Sequence, residues 1–71
     1  MGAPPRKFDV GDRAVPLRGV YRGDVGIVID TKTVYVRNAN NPEKPLPKVR
    51  YTVRLDDNVV RKYYSVDLER P

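Results

Sequence analysis

A chain of 71 residues has room for one domain with a small core. It contains no cysteine and no histidine, which removes disulfides, Cys- and His-based metal sites and the usual nucleophile–base pairs, so neither catalysis nor a cofactor is expected. Fourteen Lys and Arg against nine Asp and Glu give a net charge of +5, a balance suited to a polyanionic partner, either nucleic acid or the acidic protein surface of a larger assembly.

Residues 1–8 are expected to form a flexible tail and residues 9–71 the folded domain. Met1–Lys7 lacks the apolar stretch of a signal peptide. Gly2 is not a myristoylation site, because position 6 is Arg where that motif needs Ser or Thr. No apolar run reaches the roughly 18 residues that span a bilayer, so a cytoplasmic location without a membrane partner is expected.

Asp12–Leu17 reads as a short first strand, with Pro16 demanding an edge or a bulge. Val25–Asp30 is a β-branched run that Thr31–Arg37 continues. Val34 and Val36 there share one face, and Thr33, Tyr35 and Arg37 the other. The parity of the apolar residues switches between Ile29 and Val34, which predicts a bulge or bend near Asp30–Lys32. Residues 38–48, N-A-N-N-P-E-K-P-L-P-K, carry turn and proline chemistry and are expected to be the least ordered internal segment. Pro42–Pro47 suits either a polyproline ligand or a stiff loop. Val49–Leu55 alternates cleanly, with Val49, Tyr51, Val53 and Leu55 inward and Arg50, Thr52 and Arg54 outward. Asp56-Asp57-Asn58 is a turn; two adjacent carboxylates alone fall short of a cation site. Val59–Tyr64 returns as the partner strand. Ser65-Val66-Asp67 reads as one helical turn capped by Ser65, and Leu68-Glu69-Arg70 as a last strand. Val25, Ile27, Val34, Val36, Val53 and Leu55 are expected to supply most of the core. Five short strands with one helical turn before the last predict an all-β closed barrel, which leaves no exposed edge.

From Val10 to Val28 the chain reads V-G-D-R-A-V-P-L-R-G-V-Y-R-G-D-V-G-I-V. Gly11 and Asp12 turn the chain into the first strand, Gly19 and Gly23 give the following loop backbone freedom, and Gly26 allows a close neighbour or a bend. This stretch resembles the KOW motif of ribosomal proteins and of transcription factors of the NusG type. The resemblance implies a five-stranded SH3-like barrel that binds nucleic acid or a transcription or translation machine, as a monomer when free. Pro16, the proline-rich loop and the lack of a second domain depart from that pattern. The Gly11-Asp12-Arg13 start and the end of the chain are also similar to the plasmid-encoded type II dihydrofolate reductase, another small SH3-like barrel. Val60 and Tyr63 match its working strand, but Arg61 and Lys62 replace the residues that touch ligand there, so the resemblance extends to fold and not to activity. Arg22-Gly23-Asp24 spells an RGD tripeptide, a chance match in a loop whose glycine the KOW pattern already explains.

The candidate binding residues are Arg18, Tyr21 and Arg22 of the glycine loop and Arg50, Arg54, Arg61 and Tyr63 of the last long hairpin. A two-residue turn at Asp57-Asn58 sets Arg54 opposite Arg61 and Thr52 opposite Tyr63. One outward face then holds Arg50, Arg54, Arg61 and Tyr63, a combination that grips phosphates and stacks a base. A three-residue turn shifts the register by one and turns Arg61 away. The rival role is a protein-docking accessory subunit, in which the charge complements an acidic surface.

Overall fold

The computed structural model describes residues 6–71; residues 1–5, with the Gly2 site and most of the expected tail, and the side chain of Asp57 lie outside the description. Five antiparallel strands form one sheet: β1 (Arg13–Pro16), β2 (Gly26–Val36), β3 (Leu46–Arg54), β4 (Val60–Tyr64) and β5 (Leu68–Glu69). Single 3-10 turns at Asp56–Asn58 and Ser65–Asp67 are the helical elements of the described residues. The strand order is β4-β3-β2-β1-β5, so the last two strands in sequence stand at opposite edges. Only Ser65–Asp67 separates them along the chain. Edges of a flat five-stranded sheet lie about 19 Å apart, whereas four residue steps from Tyr64 to Leu68 reach at most about 14 Å. The sheet therefore curls. No β4–β5 pairing closes it among the described residues.

Burial follows from that curl. Val49, Tyr51, Val53 and Leu55 all point inward from β3 and its end, as their alternation predicts, and they meet Ala14, Val28 and Leu68. The Tyr51 ring meets Phe8 edge-on, with centroids 5.4 Å apart. Its hydroxyl accepts the Lys7 N–H at 2.7 Å and the Phe8 N–H at 3.4 Å. Arg70 donates to the Lys7 carbonyl at 2.7 Å. Lys7 and Phe8, assigned to the tail by the sequence, thus belong to the packed unit, and Phe8 is 1% exposed.

β2 corrects the expected core. Val28 faces Val53 and Asp30 faces Thr52, so Ile29 is the extra residue of a bulge, one position ahead of Asp30–Lys32. Before the bulge the inward residues are Gly26 and Val28, not Val25 and Ile27. After it they are Thr31 and Thr33, opposite buried Tyr51 and Val49. Val34 and Val36 lie on the outer face, half-buried, and Val25 is 48% exposed. Gly26 has no room for a side chain: a Cβ there would stand 2.4 Å from Val53 Cγ1 and 2.9 Å from the Arg54 carbonyl oxygen.

Pro16 is accommodated because β1 changes partner along its length. Arg13 and Ala14 pair with β2, Val15 and Pro16 with β5. The Pro16 carbonyl accepts the Gly23 N–H at 3.0 Å, so the N–H that proline lacks would also have pointed at the loop, not at a strand. β3 begins at Leu46 and takes Leu46, Pro47 and Lys48 from the expected loop. The remaining residues turn twice, with the Asn41 N–H on the Asn38 carbonyl and the Lys44 N–H on the Asn41 carbonyl. Ser65 starts its 3-10 turn but caps nothing; Tyr64 precedes it with extended backbone and no side-chain cap bond.

Candidate nucleic-acid interface

The turn between β3 and β4 decides which side chains meet. It contains three residues, Asp56–Asn58, with Asn58 in the left-handed region at φ 61°. Arg54 then pairs with Val60, Val53 with Arg61, Thr52 with Lys62, Tyr51 with Tyr63 and Arg50 with Tyr64. Directly opposed residues share a face. Arg61 and Tyr63 therefore leave the face of Arg50 and Arg54, and the single face of the two-residue turn does not form.

Arg61 and Tyr63 instead meet the glycine loop. Gly19 and Gly23 hold φ of 83° and 87°, which lets the loop fold back on itself. The Arg22 N–H reaches the Gly19 carbonyl at 3.2 Å and the Asp24 N–H the Tyr21 carbonyl at 3.0 Å. The Leu17 N–H binds the Asp67 carbonyl at 2.9 Å, and Arg18 pairs with the Asp67 carboxylate at 3.1 Å. These bonds tie the loop to the turn before β5 and set Tyr21 against the edge of the core, where Tyr63 also packs.

Between loop and edge strand lies an open cleft of about 430 Å³, lined by Arg18, Tyr21, Arg61, Lys62 and Tyr63 together with Gly19 and Val20. The Arg61 guanidinium sits 5.5 Å above the Tyr21 ring and donates to the Val60 carbonyl at 3.0 Å. Burial pushes the Tyr63 phenol above its ordinary pKa; Arg61 pulls it down less strongly, and Tyr21 and Asp24 add to the rise. Tyr63 therefore stays a neutral hydrogen-bond donor across physiological pH.

Four of the seven sequence-predicted residues, Arg18, Tyr21, Arg61 and Tyr63, are brought together here. Arg22 is exposed in the same loop outside the lining. Arg50 and Arg54 stand on the far side of the sheet. Lys62 was missed: the reductase comparison made it only a mismatch, yet on an edge strand an outward lysine can reach round to the cleft. Among the described residues no group of three or more carboxylates gathers as a metal site, and no helix is long and apolar enough to cross a membrane. Comparison with family models, curated proteins and solved structures gives no match.

Proposed function

We propose that the curled sheet is an SH3-like barrel of the KOW type, and that it is a non-catalytic module binding single-stranded nucleic acid in the cleft between the glycine loop and β4. The strand order, with β5 returning to β1 after one 3-10 turn, supports the barrel. The observation that carries the function is the pairing of Tyr21 and Tyr63 with three cations in one open cleft. Aromatic faces stack bases of any sequence, a role that falls to Tyr63 because Arg61 covers the Tyr21 ring, and Arg61 and Lys62 hold the neighbouring phosphates while Arg18 stays paired with Asp67. An open cleft of about 430 Å³ has room for a splayed base.

Fluorescence anisotropy with short single-stranded oligonucleotides tests this. Tyr63→Ala is expected to cost about 1–3 kcal/mol with little change in salt dependence, because stacking releases no counterion. Arg61→Gln is expected to flatten the slope of log affinity against log salt by about 0.7. Affinity weaker than about 100 μM at about 50 mM salt for every oligonucleotide overturns the reading. Nuclease-insensitive capture of one acidic protein then points to the docking role.

A further inference from the structure

The face of the sheet opposite the core is cationic in a regular way. The register places Arg13, Ile27, Arg54 and Val60 in one row, then Asp30, Thr52 and Lys62, then Lys32, Arg50 and Tyr64, then Val34 and Lys48. Six cations thus occupy four consecutive rows, with Asp30 as the one acidic side chain among them. Arg13, Lys32, Lys48, Arg54 and Lys62 are exposed and Arg50 is half-buried. No ion pair among the described residues involves any of the six; Arg18–Asp67 and Arg70–Asp12 lie elsewhere. Lys32 and Arg50 stand directly opposite each other, an arrangement that destabilises a sheet unless an anion covers it. Lys48 lies 5.5 Å over the ring of half-buried Tyr64, so an aromatic ring sits among the charges.

We propose that this face carries the sugar–phosphate backbone of the same strand whose base enters the cleft, the chain crossing edge strand β4 at Lys62. The inference rests on the cleft reading and extends it to a longer ligand. Lys62 belongs both to the outer rows and to the cleft lining, so the two charged regions are continuous round the edge. Lys48 to Arg54 spans about 20 Å along β3, a track for about three to four nucleotides of an extended strand, which with the base in the cleft makes a site longer than the cleft alone. An evenly spaced cation ladder with an interleaved tyrosine suits a repeating phosphate chain better than an irregular acidic protein surface.

The test compares oligothymidylates of about three and about ten nucleotides. The double variant Lys32→Gln/Arg54→Gln is set against an equally charged control, Arg37→Gln/Lys44→Gln, all four residues being exposed. Thermal melts establish that both variants fold. The outer-face variant is expected to bind the short ligand as the parent does. On the long ligand its salt slope should be shallower by about 1.4, so that the parent loses about sevenfold more affinity than the variant between about 50 and 200 mM salt. The control should match the parent on both ligands. The inference is overturned if the long ligand binds no tighter than the short one, or if the two variants behave alike. Polyglutamate binding that equals the long oligonucleotide's and falls equally in the outer-face variant also overturns it, in favour of a protein partner. Failure of the cleft reading shows elsewhere, as a silent Tyr63→Ala on the short ligand.

Discussion

Replacing Gly26 by Ala tests the packing that holds β1, β2 and β3 together. The added Cβ would lie 2.4 Å from Val53 Cγ1, 2.9 Å from Leu55 Cδ2 and 2.9 Å from the Arg54 carbonyl oxygen. Carbon atoms prefer about 3.5–4.0 Å, so the first contact is more than about 1 Å too short. Val53 is 0% and Leu55 4% exposed, and neither can swing into solvent. Overpacking of this kind costs about 1–3 kcal/mol. The lower chain entropy of Ala in the unfolded state offsets roughly 0.4–1 kcal/mol of that. The net loss is about 1–2 kcal/mol, a large share of the roughly 4–11 kcal/mol expected for a domain of this length. It should lower the melting temperature by about 4–16 °C and the urea midpoint by about 1 M or more where m is near 1 kcal/mol/M. A cycle with Val53→Ala adds a control. Removing Cγ1 relieves the closest contact, so the double variant should be more stable than the sum of the two losses predicts by at least about 0.5 kcal/mol. An unchanged or raised melting temperature in Gly26→Ala refutes the close approach, and strict additivity refutes Val53 as its cause.

Two further outcomes follow from the same geometry. Because Tyr63 is raised above its ordinary value chiefly by burial, the folded chain keeps that proton longer than the unfolded chain does; its contribution to stability is present below about pH 10 and is lost as pH rises through the folded pKa. Tyr63→Phe should remove that part of the alkaline loss in urea midpoints, and an identical alkaline profile would contradict it. Asn58 holds φ of 61°, so Asn58→Ala should cost about 1–2 kcal/mol and Asn58→Gly very little; equal melting temperatures for the two would argue against the left-handed turn.

The sequence carried the second half of the fold more clearly than the first. From Val49 on, β3 and its end alternate with a large apolar residue at each inward position, and Val49, Tyr51, Val53 and Leu55 are all buried. β2 misleads because its inward position beside β3 is Gly26, which has no side chain to mark it. The outward neighbours Val25 and Ile27 look more like core than Gly26 does. Past the Ile29 bulge the inward residues are threonines, and the valines face out. Phe8 escapes notice because its partner Tyr51 is 43 positions away, and no local pattern encodes such a contact. Leu46 and Pro47 look like loop, yet they pair with Val36 and Tyr35. β4 pairs with β3 only as far as Arg50, so beyond that point one side of β3 is free and a proline costs little there.

The candidate site was legible as residue types and not as an arrangement, and one residue in one turn accounts for the difference. Asp56-Asp57-Asn58 supports a two-residue or a three-residue connection equally well by composition. Asn tolerates the left-handed conformation that ends the longer one. That single extra residue inverts β4 relative to β3, since side chains alternate with a period of two. With the shorter turn, Arg54 and Arg61 would stand opposed on one crowded face. With the longer turn Arg61 rests over Tyr21, Tyr63 packs beside it, and Lys62 joins Arg50 and Arg54 on the other side. The Tyr21–Tyr63 cleft and the cation ladder are thereby sorted to opposite faces of an edge strand only five residues long. A strand of nucleic acid that uses both must pass round that edge, which is why an outer-face variant that weakens long oligonucleotides and spares short ones, beside a Tyr63→Ala variant that weakens both, distinguishes this arrangement from a single flat basic patch.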